Sequence, residues 1–272
     1  MTTFDADLGD IVGNELHKHG VTVACGRTLE RIEPRSDGSL RVVGSGGLDE
    51  PADVVLVAVG VRPDNDLARG AGVRVNDRGA IVVDRRMATG IDRVWAAGDC
   101  VHTHHVLLDT PTYLPLGTTA HKQGRIAGIN AVGGDASFAG SCGTQAVKVF
   151  DLVAARTGLR DIEAAAAGYD PFSTTVDVDD HKAYYPGATK IVIRTTGDRR
   201  SGRLLGVQMI GAYGAEISKR IDIAAAALHA GASVEYLNDL DLSYTPPLSS
   251  PWDPVQVGAQ AWDRSWRVHS RH

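Results

Sequence analysis

Residues 89–99 read TGIDRVWAAGD, and the organisation of the chain is read outward from them. Val94 to Ala97 are four apolar residues flanked by charge, the pattern of a short buried strand, and Gly98-Asp99 ends it. In open α/β sheets ligands bind beyond the carboxyl ends of the strands, so Asp99 stands where a ligand would be met. A carboxylate there accepts hydrogen bonds from the paired hydroxyls of a sugar or sugar-alcohol chain, and a glycine before it lets the backbone come close. The same aspartate also suits a plain turn cap, and this fragment by itself leaves both readings open.

Toward the C-terminus, a loop rich in His, Thr and Pro (101–116) leads into GTTAHKQGRIAGINAVGG (117–134). Thr118 or Thr119 is expected to cap a helix carrying Ala120, Ile126 and Ile129, with Gly133-Gly134 as its stop. The unpaired N–H groups and dipole at the start of that helix favour negative charge. Toward the N-terminus, Asn76-Asp77-Arg78-Gly79 reads as a turn between two strands. Residues 54–60, VVLVAVG, are continuous and β-branched, which predicts a strand covered on both faces. Further back, Leu8, Ile11, Val12 and Leu16 fall at helical spacing over 5–19. The runs 21–25, 28–33 and 40–44 predict strands. GSGG at 44–47 lies between two strand runs with no helix after it, so it reads as a hairpin turn and not a phosphate loop.

From about residue 140 the texture changes. The runs 145–158, 173–179, 190–195 and 203–211 read as an antiparallel sheet, with TGDRRSG (196–202) as an exposed turn. A helix is expected over 215–230, with Ile217, Ile221, Ala224, Ala225 and Leu228 on one face, and another over 254–262. Strands in runs, without strict βαβ alternation, argue α+β for this half.

Composition narrows the function classes. The chain has 272 residues, 28 Lys+Arg against 33 Asp+Glu, and a formal charge of −5, with no basic block that would suit nucleic acid. Its longest strongly apolar run, 54–61, is far short of the roughly 20 residues a membrane span needs. The start, MTTFDADLGD, has neither a basic flank nor an apolar stretch, which reads as a cytoplasmic protein. Cys25, Cys100 and Cys142 form neither a C-x-x-C pair nor a metal-ligand spacing. His102, His104 and His105 cluster in a loop without a carboxylate at fixed spacing, so no metal site is expected. Gly211-Ala212-Tyr213-Gly214 lies between strand and helix but lacks a P-loop's Lys-Ser/Thr pair, and a tight turn is the reading preferred. Tyr184-Tyr185-Pro186-Gly187 and Tyr244-Thr245-Pro246-Pro247 hold phenols on proline-stiffened loops, either as hydroxyl donors to a substrate or as interface anchors.

Taken in order, these pieces resemble the pyridine nucleotide–disulfide oxidoreductases, and most of all the single-cysteine branch of coenzyme A disulfide reductases and NADH oxidases. VVLVAVGVRPDN (54–65) is similar to that family's return from the NAD domain to the FAD domain. Residues 89–99 match its second flavin motif, 115–134 its flavin-facing helix, and LSYTPPLSSPWDPV (242–255) its C-terminal signature. The resemblance implies α/β plus α+β architecture: incomplete Rossmann-like NAD and FAD domains, 1–60 and 61–138, then an α+β dimerisation domain, 139–272. It implies FAD and NAD(P)H as cofactors of the complete enzyme, and Gly98, Asp99, Leu116, Gly117, Thr118 and Thr119 as flavin contacts. It further implies a homodimer in which Tyr244, with Tyr184 or Tyr185, assists at a thiol site, the acceptor being a small disulfide or oxygen. The family's glycine-rich turns and redox cysteine have no match in this sequence, so the expectation is a chain that binds FAD weakly and turns over little by itself. Two alternatives stand beside it: a non-catalytic dimerisation module, and a truncated gene product.

Overall fold

The computed structural model describes residues 3–108 and 110–269. Two compact units emerge: one runs from Leu16 to Arg62, and the other holds the described residues before and after it. In chain order, the elements begin with helix α1 (Ala6–Lys18) and strands β1 (Leu29–Pro34), β2 (Leu40–Gly44) and β3 (Leu48–Ala52). The three strands form an antiparallel meander, and Gly44 pairs with Leu48 across the expected hairpin turn. Gly46 and Gly47 take positive φ there, which L-residues adopt only under strain. Arg41 grips Asp49 on the neighbouring strand with Nε and Nη2, at 2.8 and 2.6 Å. No residue from Leu16 to Arg62 is buried.

Two expected strands are corrected in this unit. Residues 21–24 and 54–60 carry no regular secondary structure and have no ladder partners, Cys25 lies in a turn, and Leu56 and Val59 are 89% and 86% exposed. A strand of parallel type needs neighbours at both edges and helices over both faces, and the described residues supply neither to 54–60. The hairpin strand β3 was not foreseen, because LDEPA is poor in β-formers; its Pro51 is tolerated at a sheet edge.

Past a short α2 (Asp66–Gly70), residues 73–105 make isolated bridges in place of long strands: Val75 with Ile81, Ile81 with Val101, and Ala88 with Trp95. The strand expected at Val94–Ala97 is therefore a single bridge. This stretch gathers Val73, Ile81, Val83, Met87 and Val101 around Ile126 of α3 (Gly117–Ala131).

The last half is the expected α+β layer. Strands β4 (Gln145–Val149), β5 (Leu152–Gly158), β6 (Pro171–Asp179), β7 (Lys190–Asp198) and β8 (Leu204–Ala212) form an antiparallel sheet in the order β4-β5-β8-β7-β6, with a short α4 (Asp161–Ala166) between β5 and β6. One face carries Ala155, Ile193, Val207 and Met209 against Ile217, Ile221 and Leu228 of α5 (Ile217–His229) and Trp262 of α7 (Pro254–His269). The intervening α6 (Val234–Asn238) is capped by Ser233, whose Oγ accepts from Tyr236 N at 3.1 Å. The opposite face, including Ala154 and its register partner Ile210, is covered by Phe4, Leu8 and Val12. Asp5 fixes that covering in place: its N–H donates to Gln208 Oε1 at 2.9 Å, and Gln208 Nε2 donates back to its carboxylate. The turn at 196–202 is exposed only at its tip, since Thr196 and Asp198 are buried.

Candidate flavin and thiol site

Gly98 adopts φ 93°, a conformation that glycine takes without steric cost. Its N–H donates to Gln123 Oε1 at 3.1 Å, and Gln123 Nε2 donates to Thr103 Oγ1 at 3.2 Å. A Cβ added at Gly98 would touch Ala120 Cβ at 3.8 Å. The end of the 94–97 segment and the first turns of α3 thus adjoin, although 20 residues of chain separate them. Asp99 is exposed at this junction. Burial raises the neighbouring Cys100 thiol, and the Asp99 carboxylate adds to the shift. Burial pushes Cys142 up to about 11, so neither thiol is poised as a nucleophile.

The N-cap of α3 is Leu116, at φ −128° and ψ 129°, not a threonine. The helix starts two or three residues earlier than expected: Ala120 N–H reaches Leu116 O at 2.9 Å, and Thr119 is turned inward, its Oγ1 3.2 Å from Ser141 Oγ. Thr118 is exposed and makes no cap. A leucine side chain cannot accept a hydrogen bond, so the N–H groups of Gly117, Thr118 and Thr119 receive no side-chain partner from the cap. Beside them, Tyr113 Oη is buried with no hydrogen-bond partner among the described residues. Burial raises that phenol, and the charge of Asp99 adds to the shift.

Tyr184 and Tyr185 lie on the loop between β6 and β7, 72% and 40% exposed with ring centroids 5.7 Å apart; Tyr244 lies on the loop between α6 and α7, 42% exposed. Lys182 N donates to Pro246 O at 3.3 Å, tying the two loops together. Among the described residues no hydrogen bond or ion pair joins these tyrosine loops to the Gly98–Thr119 segment. Two of the three imidazoles of the histidine loop meet backbone: His102 Nε2 lies 2.7 Å from Val83 O, and Leu107 N donates to His105 Nδ1 at 3.1 Å. Burial lowers His105 to about 4, which keeps it neutral. The tight turn expected at 211–214 is corrected: Gly211 and Ala212 end β8, with Gly211 packed against Ile217, and Tyr213–Ala215 form one 3-10 turn leading into α5. Gln123 and Tyr113 escaped the sequence reading; a glutamine on a helix face gives no sign of burial until a loop closes over it.

The family model described as pyridine nucleotide-disulphide oxidoreductase matches residues 1–124, and the dimerisation-domain model of that family matches 144–254. The chain belongs to the pyridine nucleotide-disulphide oxidoreductases. Among relatives in this family, an NAD(P)H sulfur oxidoreductase (CoA-dependent) of Pyrococcus furiosus is 37% identical over 263 residues, covering 95% of this chain and 57% of that protein. An NADH oxidase of Methanocaldococcus jannaschii is 31% identical over 256 residues, covering 94% and 56%. The solved structure of an NAD-dependent persulfide reductase from A. fulgidus superposes with a TM-score of 0.91 at 37% identity, over 96% of this chain and 48% of that one. The chain therefore spans about half the length of these oxidoreductases.

Proposed function

We propose that this chain forms the flavin-facing and dimer-forming part of an NAD(P)H-dependent reductase of persulfides or small disulfides. The observation that carries this reading is the Gly98–Asp99 junction, packed against a helix start that its own cap leaves open, with an unpartnered buried phenol beside it. These groups fit FAD. Asp99 would accept from ribityl hydroxyls, and the segment Leu116 to Thr119, with the N–H groups of Gly117, Thr118 and Thr119, would lie beside the electron-rich edge of the ring. When bound, the flavin supplies the relay by which a hydride from the nicotinamide becomes the electron pair that cleaves the acceptor's S–S bond. The net change would be NAD(P)H, a disulfide and one proton giving NAD(P)⁺ and two thiols; oxygen is the other acceptor that a relative's name suggests. Residues 139–272 would dimerise, and Tyr244 with Tyr184 or Tyr185 would donate phenolic hydrogen bonds to the thiol substrate across the dimer. By the same reading, 1–60 belong to the NAD(P)-binding domain and 61–138 to the FAD-binding domain.

The test is a titration of the chain with FAD, followed by flavin fluorescence, for the wild type and Asp99→Ala. A charge-assisted hydrogen bond is worth about 1.5–3 kcal/mol, so Asp99→Ala should weaken binding by roughly 10- to 150-fold. Equal affinity for the two proteins would overturn the assignment. A second reading, a dimerisation module without catalysis, draws on one observation: the 145–262 layer has a continuous core, whereas residues 16–62 contribute no buried side chain. It predicts a stable dimer in sedimentation with no flavin uptake.

A further inference from the structure

Arg220, on α5, is 6% exposed and spends its guanidinium on four acceptors in three different segments. Nε donates to Ala215 O at 3.1 Å, before the start of α5. Nη1 pairs with the Asp253 carboxylate, also buried. Nη2 donates to two carbonyls at once: Asp180 O at 2.8 Å, where the loop bearing Tyr184 and Tyr185 leaves β6, and Leu248 O at 3.1 Å, four residues past Tyr244. Asp253 is itself held on every side. Its Oδ1 accepts from Val255 N at 3.0 Å, its Oδ2 from Ser249 Oγ at 3.1 Å, and its N–H donates to Gln256 Oε1 at 3.1 Å. Asp253 thus caps the N-terminus of α7 through the N–H of Val255, the Gln256 side chain takes up its own N–H, and Pro254 is the first helical residue. Asp180 is equally committed, accepting from His181 N, Thr189 N and Thr189 Oγ1 at 2.9 to 3.1 Å. Beneath the two loops lies a cavity of about 220 Å³ lined by Asp180, Thr189, Glu216, Arg220 and Leu248, so packing alone does not fix them.

We propose that Arg220 is a positioning residue that locks loops 180–189 and 239–253 into one unit, so that Tyr184, Tyr185 and Tyr244 are presented together. The proposal rests on the reading of those tyrosines as donors at the thiol site and adds what holds them there. Only a planar, forked cation has the donors to serve a carboxylate and carbonyls on both loops in fixed geometry; an ammonium on a lysine stem lacks that fork. The two loops should therefore open and close together.

The experiment is amide hydrogen exchange by mass spectrometry on the full chain, comparing wild type, Arg220→Lys and Arg220→Ala. Arg220→Lys should raise exchange about tenfold in 180–189 and in 239–253 alike, with β8 protection unchanged. Methylguanidinium added to Arg220→Ala should restore both loops at the same concentration, while methylammonium should not. Wild-type protection of the loops in Arg220→Lys, loosening of one loop alone, or equal rescue by methylammonium would each overturn the proposal. If Arg220→Ala fails to fold, Arg220→Lys decides the matter by itself. Failure of the tyrosine reading shows up separately, as Tyr244→Phe and Tyr184→Phe proteins that bind a small disulfide as tightly as the wild type while exchange remains coupled.

Discussion

Glu163 accepts from Arg156 Nη2 at 2.7 Å and, through its other oxygen, from Arg160 Nη2 at 3.0 Å. Burial by itself would raise this carboxyl, but the hydrogen bonds from Arg156 and Arg160 outweigh it and hold it at about 2, against an ordinary 4.5. Between those values the unfolded chain binds more protons than the folded one, so folding stability falls as the pH drops through the window. The stabilisation is complete above 4.5 and fades as pH approaches 2. Urea denaturation at pH 6 and pH 3 should show wild type ahead of Glu163→Gln at pH 6, with a smaller lead at pH 3; a lead that widens in acid would refute this. His105 works in the same direction over a higher part of the acid range. Burial holds it near 4, so acid that charges the unfolded imidazole from about 6.5 downward also favours unfolding.

Helices α5 and α7 act through what they lay on the sheet. Trp262 is 1% exposed, donates from Nε1 to Phe172 O at 2.7 Å, and presses on Gly197 so closely that a Cβ there would overlap its ring. Trp262→Ala should cost about 3–5 kcal/mol in a denaturant titration, because the indole leaves a hole that β6 and β7 cannot fill. An unchanged midpoint would show that α7 contributes little to the layer. Helix α5 was legible from apolar residues recurring on one face and the first part of α7 was foreseen; the sheet was legible as four runs, the first of which divides into β4 and β5 at Phe150-Asp151. The start of α3 was not. Two threonines in a row advertise a cap, yet the register is decided by Leu116 O meeting Ala120 N, a contact that the sequence does not display. Residues 54–60 failed differently: their composition reports a preference for burial correctly, but a strand exists only where a ladder partner meets it. In the candidate site Gly98 and Asp99 could be named from the strand-end pattern. Gln123 and Arg220 could not, since their roles come from loops folding back over helices.

At the scale of the molecule the apolar chain at 54–61 is the least protected feature, with Val54 and Val61 also 83% and 67% exposed. Exposed runs of this kind invite edge-to-edge association. Leu56→Lys with Val59→Lys should lower light scattering on storage and leave the melting temperature of the 145–262 layer where it was; scattering that persists would place the sticky surface elsewhere. None of the described helices is long and apolar enough to cross a membrane. The seating of Phe4, Leu8 and Val12 on the second face of the sheet has a temporal side. Asp5 meets Gln208 across 203 positions of sequence, so this helix emerges long before the strand that receives it has been made. At roughly 5–20 residues per second, synthesis leaves it unseated for about 10–40 seconds, and through that interval the growing chain must keep a greasy helical stripe away from every other surface in reach.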